Sequence, residues 1–374
     1  MLIGIPRETR PGETRVAATP ETVKKLAASG THAIVVESGA GQASSIPDAD
    51  YVAAGATIGS ASGALGADLV LKVRAPTAAE LPQLKSGAVL IGILNPFDAA
   101  GVAAIAGSGV TAFALESLPR ISRAQSMDVL SSQANIAGYK AVIMAANEYA
   151  RFMPMLMTAA GTVKAARILI MGVGVAGLQA IATAKRLGAV IEATDVRPSV
   201  KDQVESLGAK WVDVPYANDE ERKIAEGVGG YARPMPPEWM QRQADIIAER
   251  CKQMDIVITT ALIPGRPAPK LLKAETVAAM KPGSVLVDLA VEQGGNIEGS
   301  EPGKIVDRNG VKIIGTTNLP ALVATDASAL YARNVLNFLA LSLNLKTGEW
   351  KLARDDEIVQ ATLICDAGQV ATKK

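Results

Sequence analysis

The run Arg-Ile-Leu-Ile-Met at 167–171 passes without a break into Gly172-Val-Gly174-Val175-Ala176-Gly177 and leaves through an Ala-rich segment, 178–187. An apolar strand that turns through glycines into a helix reads as the opening of a βαβ unit. Gly172 permits the tight turn, Gly174 lets backbone approach a pyrophosphate, and Gly177 lets helix pack on strand, while the helix N-terminus faces the phosphates. A second strand, Val190 to Thr194, ends at Asp195, 18 residues beyond Gly177. A carboxylate there can hold the adenosine ribose hydroxyls. The bland alternative is a glycine turn in an unliganded α/β domain with Asp195 capping the next helix. Strand, glycines, helix and carboxylate falling in one register argue against it. An Asp in that place repels a 2′-phosphate, which favours NAD(H) over NADP(H). Arg197 leaves three uses open: meeting a phosphate, stacking on adenine, or pairing with Asp195.

Short β-branched runs alternate with longer Ala-rich segments from end to end, the rhythm of parallel sheets. One series has Leu2–Pro6, Ala33–Glu37, Asp68–Val73, Ala88–Ile93 and Thr111–Leu115. A second has Arg167–Met171, Ile191–Thr194, Trp211–Val214, Asp255–Thr259, Ser284–Leu289 and Val311–Ile314. The fold expected is α/β, with two Rossmann-like doubly wound parallel-sheet domains and a cleft between them. Ser131–Phe152 predicts a long helix with Ser131 or Ser132 as N-cap, ending near Pro154. A second long helix is expected at about Ala327 to Leu345. These two would carry the chain out of the first domain and back. Residues 1–130 with 325–374 would then form a discontinuous first domain, and 131–324 the NAD-binding one.

Composition narrows the partners. The 374 residues suit about two domains, and 49% hydrophobic with 20% charged residues can bury two cores. Lys and Arg total 38 against 37 Asp and Glu, so a net +1 offers no field for nucleic acid or an anionic membrane. His32 is the only histidine, and Cys251 and Cys365 the only cysteines. A zinc cluster, a His-based triad and a disulfide framework are therefore excluded, no metal site is expected, and a reducing cytosol suits the thiols. His32 lies in an N-terminal strand signal and reads as a structural or surface residue. Pro6 and the charged pair Arg7-Glu8 interrupt any hydrophobic signal core, so no secretory leader is expected. The most apolar stretch, Ile168–Ala184, carries three glycines and Gln179, which reads as strand, turn and helix rather than a membrane span. A soluble chain able to dock on a membrane complex is the expectation.

Two loops stand out. From Pro119 the chain reads Arg120-Ile-Ser-Arg-Ala-Gln125-Ser126-Met127-Asp128-Val-Leu-Ser131-Ser132. It follows the last strand of the first series, where ligands of open α/β sheets bind. A guanidinium, an amide and a carboxylate can together orient a carboxamide and a ribose, although such a loop can also be plain solvated surface. The second half of Pro215–Pro237 has no clear strand or helix. Gly229 and Gly230 there can hinge beside Tyr231, and a lid and plain disorder both fit the composition.

The segments 120–128 and Ser-Ser-Gln-Ala-Asn-Ile-Ala-Gly-Tyr-Lys-Ala-Val at 131–142 resemble the NAD(H)-binding subunit, often called domain I, of proton-translocating (Re/Si-specific) NAD(P) transhydrogenases. So do Thr-Ala-Ala-Gly-Thr-Val at 158–163, Gly-Gly-Tyr-Ala at 229–232, Thr-Thr-Ala-Leu-Ile-Pro-Gly at 259–265 and Val-Asp-Leu-Ala-Val-Glu-Gln-Gly-Gly-Asn at 287–296. The resemblance implies that Arg120, Gln125 and Asp128 position the nicotinamide end, with Ser126, Met127, Ser131 and Ser132 beside them. It further implies NAD contacts at Val175, Asp195, Val196, Arg197, Gly230, Tyr231, Gln243 and Leu262. Alanine dehydrogenase is a more distant likeness. Arg15 and Lys72 sit in segments similar to its pyruvate-binding ones, and its catalytic histidine would fall near Asn95.

Oxidising an amino acid needs a group to take the substrate proton. Hydride transfer between two nicotinamides needs only two rings in near-attack contact, screened from water. The resemblance thus implies reversible hydride transfer from NADH on this chain to NADP+ on a separate NADP(H)-binding domain. It also implies coupling to proton movement through membrane-spanning partner subunits, a homodimer, and a place at the cytoplasmic face of a bacterial membrane. An alanine dehydrogenase-like enzyme and a catalytically silent NAD-sensing module are the alternatives.

Overall fold

The computed structural model describes residues 1–226, 233–263 and 265–371. Contacts divide the chain into two units, Met1–Gln133 with Pro320–Lys374, and Ala134–Leu319. The first six strands are β1 (Leu2–Ile5), β2 (Ala33–Glu37), β3 (Thr57–Gly59), β4 (Leu69–Arg74), β5 (Val89–Ile93) and β6 (Thr111–Ala114). A small hairpin follows, β7 (Leu156–Thr158) and β8 (Gly161–Val163). The second unit then has β9 (Arg167–Met171), β10 (Val190–Thr194), β11 (Lys210–Trp211), β12 (Ile256–Thr259), β13 (Val285–Asp288), β14 (Ile305–Arg308) and β15 (Val311–Ile314). The C-terminal pair is β16 (Leu363–Asp366) and β17 (Gln369–Val370).

In the second unit the sheet order is β11-β10-β9-β12-β13-β15-β14. Its six parallel strands thus follow the 3-2-1-4-5-6 order of a doubly wound nucleotide-binding sheet. Alternate residues of β9 feed opposite faces: Ile168 and Ile170 join one apolar layer, Leu169 and Met171 the other. Burial on both faces is why these strands read as continuous apolar runs. Strand order reverses between β9 and β12, and ligands of open α/β sheets bind beyond the carboxyl ends of the strands at such a switch point.

The first unit repeats the pattern, β17-β16-β6-β5-β4-β1-β2-β3, with two antiparallel strands added at one edge. Leu69, Leu71 and Val73 pack on one face of its sheet and Val70 on the other. No glycine turn follows β1. Instead the Glu8 carboxylate accepts the Val73 N–H at 2.6 Å, linking the turn after β1 to β4.

Some elements differ from the expectation. The long helix α1 spans Val129–Glu148, starting ahead of Ser131 because Asp128 caps it. The glycine-turn helix α2 spans Val175–Arg186, and α3 covers Pro237–Cys251. Helix α4 covers Ala324–Leu339 rather than about 327–345, and Asn344 beyond it accepts the Lys346 and Thr347 N–H groups in a turn. The chain leaves the second unit at Leu319, one turn ahead of α4, which belongs to the first unit. Strands β3, β7, β8, β14, β16 and β17 are additions. All are short, and β7, β8, β14 and β17 are largely exposed, so no buried apolar run marks them. Among the described residues no helix is long and apolar enough to cross a membrane.

Candidate functional site

At the end of β9 the three glycines do three different jobs. Gly172 has φ +91°, and a Cβ there would lie 2.7 Å from Thr260 Oγ1. At Gly177 a Cβ would lie 2.0 Å from the Gly172 carbonyl oxygen, so only glycine lets α2 sit this close to the strand. Nothing lies within 4 Å of a Cβ built on Gly174. Gly174 is also the N-cap of α2 and gives its N–H groups no side-chain acceptor. Open space over uncapped helix N–H groups at a sheet's switch point fits the pyrophosphate of a dinucleotide. Close packing of α1 on this turn has the same origin: a Cβ on Gly138 would lie 2.1 Å from the Ala176 carbonyl oxygen.

Asp195, at the end of β10, accepts the Val173 N–H at 2.7 Å and so ties itself to the glycine turn. Arg197 donates its backbone N–H and Nε to Asp195 Oδ1, both at 2.9 Å, and a terminal nitrogen to Oδ2 at 2.8 Å. Of the three uses left open by the sequence, the structure shows pairing with Asp195. Val196 is steadied through its carbonyl, which accepts the Tyr216 hydroxyl at 3.3 Å. Gln243 lies buried on α3, and Leu262, after β12, is 40% exposed. Gly230 and Tyr231, with the rest of 227–232, lie outside the described residues.

The polar loop of the first unit is a 3-10 turn, Ser122–Met127, closed by Asp128. Gln125 and Arg120 are exposed, whereas the Met127 side chain is packed in the core, so a ligand would meet its backbone. Asp128 accepts the Ser131 N–H at 2.9 Å and the Ser131 hydroxyl at 2.6 Å, the bonds of a helix N-cap. This corrects the expectation that Ser131 or Ser132 caps the helix. The loop is anchored from α4. Asn334 and Asn337 both donate to the Ser126 carbonyl, at 2.8 and 3.0 Å, and Ser132 donates its hydroxyl to Asn334 Oδ1 at 2.7 Å. Arg123 holds the other side through Asp356, at 3.0 Å.

Near the N-terminus the two cations likened to a pyruvate site are engaged. Arg15 donates to both Glu13 oxygens and to Gln133 Oε1, each at 2.7 Å. Lys72, 1% exposed, donates to Glu80 at 3.1 Å and lies 3.4 Å from Glu8. Burial raises the Glu8 carboxyl above its usual value against the pull of Lys72. Burial also works against charge on Glu13, but the hydrogen bonds and charge of Arg15, joined by Arg74, outweigh it and hold that carboxyl at about 2. Asn95 is no base. Its backbone N–H donates to the Glu116 carboxylate at 2.6 Å. Burial pushes the thiols of Cys251 and Cys365 up to about 12 and about 11.

Sequence reasoning did not single out Asn334, Asn337 or Thr260. Two asparagines three apart inside an apolar helix were the available signal, since asparagine disfavours helix interiors unless its amide has a partner.

Comparison with known proteins supplies the context. The models of the alanine dehydrogenase/PNT N-terminal and C-terminal domains match residues 4–137 and 141–373. The chain is 54% identical to the first of the polypeptides that make up the NAD(P) transhydrogenase alpha subunit of Rhodospirillum rubrum, over 99% of this chain and 97% of that one. It is 34% identical to alanine dehydrogenase of Mycobacterium tuberculosis, over 81% and 76% of the two chains. The crystal structure of transhydrogenase from Sinorhizobium meliloti superposes with a TM-score of 0.89 at 51% identity, covering 99% of this chain and 100% of that one.

Proposed function

This chain belongs to the alanine dehydrogenase/PNT family, alongside the transhydrogenase alpha subunits, and from that premise we propose that it is the NAD(H)-binding component of a proton-translocating transhydrogenase. The reading rests on one observation above others: the open space over Gly174 at the switch point, flanked by Asp195. Bound NADH supplies the hydride that NADP+ on a separate NADP(H)-binding domain accepts. Gly172, Gly174, Gly177 and the N-terminus of α2 hold the pyrophosphate, Asp195 the adenosine ribose. Val196, Arg197, Gln243 and Leu262 complete the wall. Arg120, Gln125 and Asp128 orient the nicotinamide end and exclude water. No residue of this chain is asked to take a proton, which suits Asn95 where a dehydrogenase histidine would fall.

Membrane-spanning partner subunits couple the transfer to proton movement, and the chain works as a homodimer on the cytoplasmic face. The Rhodospirillum rubrum relative is named as one piece of an alpha subunit, which supports membership of a multi-subunit assembly. The fully buried, ion-paired Lys72 is ill placed to bind a substrate carboxylate, which favours this reading over an amino-acid dehydrogenase.

The test is to mix the purified chain with an NADP(H)-binding transhydrogenase component and follow NADH-dependent reduction of NADP+. The Gln125→Asn variant sharpens it. Shortening the amide by one methylene misplaces the ring by about an ångström and should cut hydride exchange on the order of 100-fold while leaving NADH affinity nearly intact. Exchange at the parental rate would remove Gln125 from the mechanism. Absence of exchange in the parental mixture, with NADH bound, would favour the silent NAD-sensing module.

A further inference from the structure

Two segments distant in sequence, the start of the loop after β12 at 259–263 and 287–296, are tied together inside the second unit by a pair of buried side chains. Asp288, the last residue of β13, is completely buried. Its carboxylate accepts the N–H groups of Ala290, Asn296 and Ile297 at 3.0, 3.1 and 3.1 Å. Gly294 and Gly295 adopt φ of 93° and 77°, and a Cβ on Gly295 would lie 2.6 Å from Asp288 Oδ2. The glycine pair therefore folds the chain back over Asp288 and delivers Asn296 beside the end of β12.

Asn296 is also completely buried, and all of its amide bonds go to the loop after β12. Its oxygen accepts the Ala261 N–H at 3.1 Å, and its nitrogen donates to the carbonyls of Ala261 and Pro269 at 2.9 and 2.8 Å. The side chain pairs with Ala261 as a neighbouring strand would, beyond the last β12 pair at Thr259. Thr260 then donates its hydroxyl to the Gly172 carbonyl at 2.8 Å, so the braced loop abuts the glycine turn. A flipped amide would set its oxygen against two carbonyls, so the orientation is unique.

We propose that Asn296, seated by Asp288, is a positioning residue for the dinucleotide site, fixing Thr260 and Ala261 against the Gly172–Gly177 turn. Strands β12 and β13 are already paired over four residues without it, so the amide serves the loop rather than the sheet. The inference rests on the nucleotide-site reading above.

Asn296→Ala, Asn296→Asp and Thr260→Val are titrated with NADH on the full chain, and their hydride exchange is measured with the NADP(H)-binding component. Asn296→Asp keeps the shape but turns the amide nitrogen into an oxygen facing two carbonyls. Thr260→Val keeps the shape and removes only the hydroxyl. The expected result is a Kd and KM for NADH raised at least about tenfold, with kcat at saturating NADH within about twofold of the parent. Ile313→Val, a core change in β15, is the control for lost stability alone. Parental affinity in Asn296→Asp and Thr260→Val, or an equal loss in Ile313→Val, would overturn the inference. Failure of the parental chain to bind NADH would instead overturn the nucleotide-site reading, and this inference with it.

Discussion

Asp195 combines two tasks, since the carboxylate that would meet the ribose also takes the Val173 N–H and the Arg197 guanidinium. Replacing it by Ala should remove charge-assisted hydrogen bonds of roughly 1.5 to 3 kcal/mol, or about 10- to 150-fold in NADH affinity. Fluorescence titration checks this, and an unchanged Kd would refute the ribose role. Glu13 gives a prediction in pH. Its carboxyl sits at about 2 in the folded chain against a usual value of 4.5. A folded pKa below the unfolded one means stability that is complete above about 4.5 and lost as pH falls toward about 2. The shift corresponds to about 3 kcal/mol. Glu8 has the opposite sign: burial raises its carboxyl, so its contribution favours the fold at low pH and fades as pH rises. Glu13→Gln should lower unfolding stability at pH 7 by about 3 kcal/mol or more, because Arg15 and Arg74 lose their charged partner. It should also flatten the decline between pH 4.5 and 2. Urea denaturation at pH 7 and pH 3 reads both, and a parental slope would show that Glu13 is not the group responsible.

At the scale of single elements, the strand–turn–helix of the glycine motif separates binding from folding. Gly174→Ala places a methyl in open space at φ −82°, a conformation alanine accepts. It should unfold like the parent yet bind NADH about tenfold or more weakly, because the methyl enters the pyrophosphate's place. Gly177→Ala drives a methyl into the Gly172 carbonyl and should cost roughly 1 to 3 kcal/mol of stability. Thermal unfolding alongside NADH titration distinguishes the two, and a destabilised Gly174→Ala with intact affinity would reverse the assignment. This motif was legible because Gly172 answers to its own positive φ, Gly177 to the Gly172 carbonyl five residues back and Gly174 to open space. Strand β14 was not, since its largely exposed residues show no apolar alternation. Its one local cue was Asn309-Gly310, whose φ of 55° and 81° make a two-residue turn into β15. The cap of α1 was misread for a related reason: Asp128 and Ser131 are both good caps three residues apart, and the carboxylate accepts from the serine rather than yielding to it.

For the whole molecule, a ligand that binds only the folded chain stabilises it by mass action. NADH at about 100 times its Kd should add about 2.7 kcal/mol, or roughly 3 to 4 °C in Tm for a chain of this length, with NADPH at the same concentration doing much less. Equal shifts would withdraw the preference argued from Asp195. The sequence alone determined the alternation of strands and helices and the glycine turn with its carboxylate. Steric demands on a turn and the burial of successive strand residues are written within a few positions, so they can be read in order. Tertiary structure alone decided the 3-2-1-4-5-6 neighbour order, the antiparallel edges, and the polar partners that hold each loop. Asn334 reaches Ser126 and Asn296 reaches Ala261 across many intervening residues. A buried amide states that it needs partners, but which backbone groups satisfy it depends on what packing brings within about 3 Å.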